Sequence, residues 1–216
     1  MPEATRTVPR PAAGRRVIRF GYHGSPHVAT RIIRRAGWHE TAVDLSEYDI
    51  AAPFHALRTG RLDVMTAKFA VREPDLVTSR TLAEDARAVV VAADHPLAAH
   101  DSVSVEDLAA YDCFDRPGDL PAYVWDEVVP RRTPAGRPLR RRHRVTAIPD
   151  MMRLVASGAA VHLSLISLAD IAPPGIRVIP VPDLPPAPVT LAWPRGAGLP
   201  DHVRRFITAA EAGANR

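Results

Sequence analysis

The chain passes from helix to strand twice through the same handover, and this repetition limits the folds open to it more than any other feature. In Leu57-Arg58-Thr59-Gly60-Arg61-Leu62-Asp63-Val64-Met65, Leu57 closes an apolar helical face. Gly60 stands where a helix end favours a left-handed residue. Leu62, Val64 and Met65 then supply a short apolar run of the kind a buried parallel strand uses. The pattern recurs at Leu154-Val155-Ala156-Ser157-Gly158, followed by Val161-His162-Leu163-Ser164-Leu165. Two such units predict two α/β lobes facing each other, with function expected in the cleft between them.

With 216 residues there is chain enough for both cores. No apolar run approaches the ~18 residues of a membrane span. The segment 1–16 has no apolar centre and is rich in Pro, Ala and Arg, so it reads as a disordered leader and not a secretory signal. Cys113 is the single cysteine, which excludes an internal disulfide framework and suits a cytoplasmic protein. Its setting, Asp112-Cys113-Phe114-Asp115, reads as a short buried strand. The net charge of +4 raises the question of nucleic acid. Much of it lies in one run, Arg131-Arg132 through Arg137 to Arg140-Arg141-Arg142-His143-Arg144, read as a Pro/Gly-punctuated loop. No aromatic residue is interleaved for base stacking and no recognition helix is in view, so a solvated face or an acidic partner fits better than DNA.

In chain order, Val17 to Tyr22 reads as the first strand and Val28 to Ala36 as the first helix. Between them lies Tyr22-His23-Gly24-Ser25-Pro26-His27, with Ser25 as N-cap and Pro26 at the first helical position. The free N–H groups and dipole at such a start form a seat for a carboxylate or phosphate. A well-capped turn with no ligand is the plainer reading. Strands are predicted at Thr41 to Leu45, Leu62 to Lys68, Leu76 to Leu82 and Ala88 to Ala93, with a helix over Ile50 to Thr59. Lys68, the only lysine of the chain, falls at a strand's carboxyl end, where open α/β sheets gather ligands. It could hold a carboxylate, act as a base of lowered pKa, or have no such role. His95, before Pro96, reads as a hinge or capping residue. Further on, Ser104 to Leu108 reads as a helix start with Asp107 as the capping acid. Cys113 to Asp115 is a strand, Arg116 to Asp119 a turn, and Leu120 to Val129 a helix with Tyr123 and Trp125 available for packing or for the cleft. Arg144 to Ala147 reads as a strand and Asp150 to Ser157 as a helix. Strands follow at Val161 to Leu165, Ile176 to Val181 and Val189 to Trp193, then a closing helix, His202 to Ala212. Arg116 could meet an anion from the far side or form a surface salt bridge.

Taken as an ordered set, these segments resemble the effector-binding region of LysR-type transcriptional regulators. The resemblance is carried by Leu57-x-x-Gly60-x-Leu62-Asp63-Val64, His95-Pro96-Leu97-Ala98 and Val105-x-Asp107-Leu108. It continues through Leu154-Val155-Ala156-x-Gly158, Val178-x-Pro180-Val181 and Leu191-Ala192-Trp193, from about Val17 to Ala212. It implies an α/β, two-lobed periplasmic-binding-protein-like (type 2) fold with two hinge crossovers. The limits expected are 17–93 plus 178–216 for the first lobe and 94–177 for the second. It also implies a small effector, often an acid or amino acid, held in the cleft by His23 to Pro26, Lys68 and, from the other side, Ile148, Pro149 and Asp150. Their places beside these segments or at strand ends add Tyr22, His27, Phe69, Arg116 and Ser164 as candidate contacts. Homodimerisation is expected from the same likeness. Two departures stand out. The segment 1–16 is too short for the family's winged-helix head, so direct DNA binding by this chain is not expected. Ala160 also stands where the family usually has a second glycine, which predicts a reshaped turn.

Three functions remain open on the sequence. The first is a sensing module that reports a bound small anion. The second is the same fold acting as a biosynthetic enzyme, with Tyr22, His23, His27, Lys68, Asp119 and Asp150 as acid/base candidates. No triad spacing, metal-ligand set, cofactor motif or phosphate loop supports that second reading. The third is a partner of full-length LysR-type regulators.

Overall fold

Leu57 to Met65 folds as its residues dictate: a helical turn ends at Gly60, whose φ of 67° is left-handed, and the chain enters a fully buried strand. The computed structural model describes residues 17–144, 147–196 and 198–214, so the expected leader lies outside the described residues. The first part of the chain runs β1 (Ile18–Tyr22), α1 (Pro26–Arg35), β2 (Val43–Glu47), α2 (His55–Arg58), β3 (Val64–Ala67), β4 (Leu76–Thr78), β5 (Ala83–Asp85) and β6 (Arg87–Ala92). It continues with β7 (Asp112–Phe114), α3 (Ala122–Val128), β8 (Arg140–His143), α4 (Ile148–Ala156), β9 (His162–Leu165), β10 (Ile176–Pro180), β11 (Ala187–Pro194) and α5 (Asp201–Gly213).

β1 lies parallel to β2 and β3, and β11 runs antiparallel to β3, β4 and β5, giving the order β2-β1-β3-β11-β4 with β5 on the far end of β11. Alternation along the strands divides the side chains between two cores. Ile18, Phe20, Val64 and Leu191 face α1 and α5, where Phe206 meets Phe20 edge-on at 5.7 Å between ring centres. Met65 and Ala192, one residue on from Val64 and Leu191, face the opposite way. Their core continues into a second sheet, ordered β10-β6-β9 and antiparallel throughout, and into the parallel pair β7-β8. The chain leaves the first sheet between Asp85 and Arg87 and re-enters it between Pro180 and Ala187.

Several elements differ from the sequence reading, each for a local reason. The helix expected over Ile50 to Thr59 shrinks to α2. The Asp49 carboxylate accepts from Ala51 N–H at 2.8 Å, competing for the backbone, and Pro53 has no N–H to give. Of the strand expected over Leu76 to Leu82 only β4 forms, and β5 begins beyond it at Ala83. The break is at Ser79, whose hydroxyl oxygen enters the ladder and accepts from Leu191 N–H at 2.9 Å. Part of the arginine run read as a loop is β8, which pairs with β7 while Arg140 and Arg142 meet Asp112. In the strand expected at Arg144 to Ala147, Val145 and Thr146 lie outside the described residues. His95 acts as a cap, its Nδ1 accepting from Leu97 N–H at 3.2 Å ahead of a short 3-10 turn. Asp107 reaches back to Ser104 N–H at 3.0 Å as a capping acid does, although the segment it opens is 3-10 and not α.

Candidate functional site

The ends of β1, β3 and β9 converge with α3 and α4 on a cavity of about 110 Å³. His23 and Gly24 follow β1, Lys68 and Phe69 follow β3, and Tyr48 and Ile50 follow β2. Across from them stand Trp125 from α3, Ile148 and Met151 from α4, His162 and Ser164 from β9, and Ser167 just beyond it. A smaller chamber of about 70 Å³ shares His23, Trp125, His162 and Met151 and extends toward Asp115.

Lys68 is the charged centre of the larger chamber. Its Nζ donates to Ser167 Oγ at 2.7 Å and lies 3.2 Å from Asp85 Oδ2, the two side chains being 12% and 5% exposed. Asp85 also accepts from Ser167 N–H at 3.2 Å. Burial holds the Lys68 ammonium below its ordinary value even against the pull of Asp85. The pair is therefore a buried one, with Ser167 bound to both partners.

Two imidazoles flank the same space. His23 lies beside the Tyr48 ring, 5.6 Å between centres, and its Nδ1 is 3.5 Å from Glu47 Oε1. Burial lowers its pKa, with Glu47 opposing. His162 stacks on Trp125, 6.2 Å between centres and 21° between planes, and meets the Phe114 edge at 5.3 Å. Burial, with the Arg87 charge second, pushes His162 down to about 4, so both rings are neutral at pH 7. Arg87 itself runs under α3, its guanidinium donating to the Glu127 and Val128 carbonyls at that helix's end.

Among the residues expected at a site, the structure brings together His23, Gly24, Lys68, Phe69, Ile148 and Ser164. The start of α1 is arranged differently. Ser25 is buried, caps α1 by accepting from His27 N–H at 3.2 Å, and donates to Asp170 Oδ2 at 2.5 Å. Gly24 N–H donates to Glu47 Oε1 at 3.2 Å. Two carboxylates of the protein itself thus stand beside the expected anion seat, one on Gly24 N–H and one on the Ser25 hydroxyl. Tyr22 packs against the core under α1 and α5, Pro26 opens α1, and His27 is exposed. Arg116 donates to the Leu120 carbonyl at 2.7 Å, and Asp150 pairs with Arg153 one turn along α4. Neither lines the cavity, and nor does Pro149 in the first turn of α4. Of the acid/base candidates only His23 and Lys68 meet there; Asp119 instead donates its N–H to the Ala51 carbonyl at 2.7 Å. Among the described residues no group of three or more His, Cys, Asp or Glu could hold a metal ion.

His162 and Ser167 were missed. A signal for His162 existed: in Val161-His162-Leu163-Ser164-Leu165 the two polar residues are two apart and so share one face of a strand. Ser167 carried none, because its place depends on the short 3-10 turn that follows β9.

Residues 15–215 match the family profile described as LysR substrate binding domain. The chain belongs to that family. Among solved structures it is similar to the effector-binding domain of QuiR in complex with shikimate, with 18% identity over 92% of this chain and 96% of that one and a TM-score of 0.71. It is similar also to CbnR, a LysR family transcriptional regulator, at 20% identity over 91% of this chain and 69% of that one with a TM-score of 0.72. A third is the BenM effector-binding domain with its effector benzoate, at 21% identity over 91% and 90% with a TM-score of 0.67. At these identities the likeness is one of fold: the two-lobed, periplasmic-binding-protein-like arrangement of LysR effector-binding domains. Among curated protein sequences none matches the chain. No helix of the described residues is long and apolar enough to cross a membrane.

Proposed function

We propose that this LysR-family chain is a sensing module whose effector occupies the cavity between Lys68 and Trp125. The observation that carries the reading is the meeting of β1, β3 and β9 ends with α3 and α4 around one cavity. A ligand bound there touches elements anchored in both sheets, so it can favour one arrangement of the lobes over another. We place the two crossovers at Asp85 to Arg87 and Pro180 to Ala187, a few residues from the limits expected at 93/94 and 177/178. Support comes from the change of sheet at those points. Homodimerisation belongs to the same proposal, and light scattering on the purified chain tests it.

The anionic effector expected from the sequence rests on Lys68 and the start of α1. A carboxylate would compete with Asp85 for Lys68 and with Glu47 for Gly24 N–H. We therefore propose a small effector for which a formal charge is not required.

Thermal-shift measurement against small carboxylates, amino acids and neutral ring compounds tests the site. A ligand at about 100 times its Kd adds roughly 2.7 kcal/mol, or about 5–10 °C in Tm for a chain of this size. The shift is expected to vanish in Ser164→Leu, which fills the cavity. A saturable shift that survives this substitution would place the effector elsewhere, and chemical conversion of the ligand would move the assignment to an enzyme.

A further inference from the structure

The larger cavity carries a specific pattern of unmet demand. Three ring nitrogens on its walls are poorly served among the described residues: Trp125 Nε1 and His162 Nδ1 are buried with no hydrogen-bond partner, and His23 Nδ1 has Glu47 Oε1 only at 3.5 Å. Buried polar atoms are ordinarily paired, so a cluster of three around one space calls for partners that a ligand parting these walls can provide. All three belong to neutral groups at pH 7: an indole N–H that only donates, and two imidazoles that can donate or accept according to tautomer.

The charges near the cavity are, by contrast, already matched. Lys68 faces Asp85. The start of α1 faces Glu47 through Gly24 N–H and Asp170 through the Ser25 hydroxyl. A carboxylate entering here would find its counter-charges engaged and two acidic side chains at the helix start. Most of the remaining wall is apolar and includes Phe69, Leu120, Val124, Met151 and Leu168, with Ser164 and Ser167 as further polar side chains. In size the space is close to that of one six-membered ring, since an apolar cavity of about 150 Å³ takes benzene; this one is about 110 Å³, with the 70 Å³ chamber adjoining it.

Resting on the assignment of this cavity as the effector site, we infer that it selects an uncharged phenol-type ring, whose hydroxyl groups pair with Trp125, His162 and His23 while the ring fills the apolar space. A phenolic hydroxyl both donates and accepts, which is what one indole N–H and two neutral imidazoles require.

The test is calorimetric titration of the purified chain at pH 7 with phenol, resorcinol and benzoate. Phenol or resorcinol is expected to bind at least tenfold more tightly than benzoate. Trp125→Phe removes the indole donor and His162→Phe an imidazole, and each is expected to weaken the better phenol at least tenfold. If one variant fails to fold, the other carries the test. A margin over benzoate below tenfold, or wild-type affinity in the folded variants, overturns the inference. Binding of benzoate, or of another member of the wider panel, in a chain that ignores both phenols sinks the ring assignment alone. Silence to every compound sinks it together with the effector-site reading.

Discussion

Lys68 Nζ lies 3.2 Å from Asp85 Oδ2, with Ser167 donating its backbone N–H to Asp85 and accepting from Lys68 through its hydroxyl oxygen. The sole lysine of the chain therefore ties the end of β3 to the end of β5 and to the turn after β9. Removing one partner of such a pair leaves an uncompensated buried charge. Lys68→Ala is expected to cost about 3 kcal/mol of unfolding free energy, whereas Lys68→Met with Asp85→Leu together should recover most of it. Urea denaturation of the single and double variants gives the answer, and equal losses in both would show that the pair is not the source.

The His162 ring sets a pH dependence. Its folded value of about 4 lies below the ordinary 6.5, so the unfolded chain binds the proton more readily in between. The stability attached to this group is whole above pH 6.5, falls as the pH drops from 6.5 toward 4, and changes little further below. Across that window the loss is of order 3 kcal/mol. Denaturation at pH 7 and pH 5 should show a smaller difference in His162→Phe than in the unaltered chain, His23 contributing the same sign in both.

Gly118, in the turn before α3, adopts a φ of 44°, and a Cβ built there would stand 2.6 Å from Ala51 Cβ. The next residue, Asp119, donates its N–H to the Ala51 carbonyl at 2.7 Å. Gly118→Ala should push the two loops apart and lower stability by about 1–3 kcal/mol through the left-handed backbone and the contact together. Hydrogen exchange at the Asp119 amide should accelerate more than exchange in β1. Unchanged protection there would refute the coupling.

Asp63 joins β3 to β1 by accepting from the Arg19 backbone N–H at 2.9 Å and from its guanidinium, while Asp63 N–H donates to the Arg19 carbonyl at 2.9 Å. Burial acts to raise its pKa, but the Arg19 hydrogen bonds and charge outweigh that and hold it below the ordinary carboxylate value. Its contribution is present above pH 4 and is lost as the carboxylate protonates on acidification. Asp63→Asn should therefore lower stability at pH 7 by about 1–2 kcal/mol and show a shallower decline below pH 4 than the unaltered chain.

Local pattern was enough to place the helix-Gly-strand units, the capped start of α1 at Ser25 and the position of Lys68, because each depends on residues within a few positions of one another. Where a distant backbone or a nearby side chain intervened, pattern failed. The Ser79 hydroxyl broke a strand by inserting against β11, and Asp49 with Pro53 shortened α2. For the site, sequence identified His23, Gly24, Lys68, Phe69, Ile148 and Ser164 as residues near strand or helix ends, and these do meet at one cavity.

What the sequence determined by itself is the family and the repeated α/β unit, since hydrophobic period, glycine stops and caps are written in local order. Only the tertiary structure decided that Lys68 faces Asp85, that Glu47 and Asp170 stand beside the start of α1, and that His162 joins Trp125 on the opposite wall. Those partners lie from 17 to 145 residues apart along the chain or on separate elements. Charge matching and burial depend on such distant neighbours, and no local pattern encodes them.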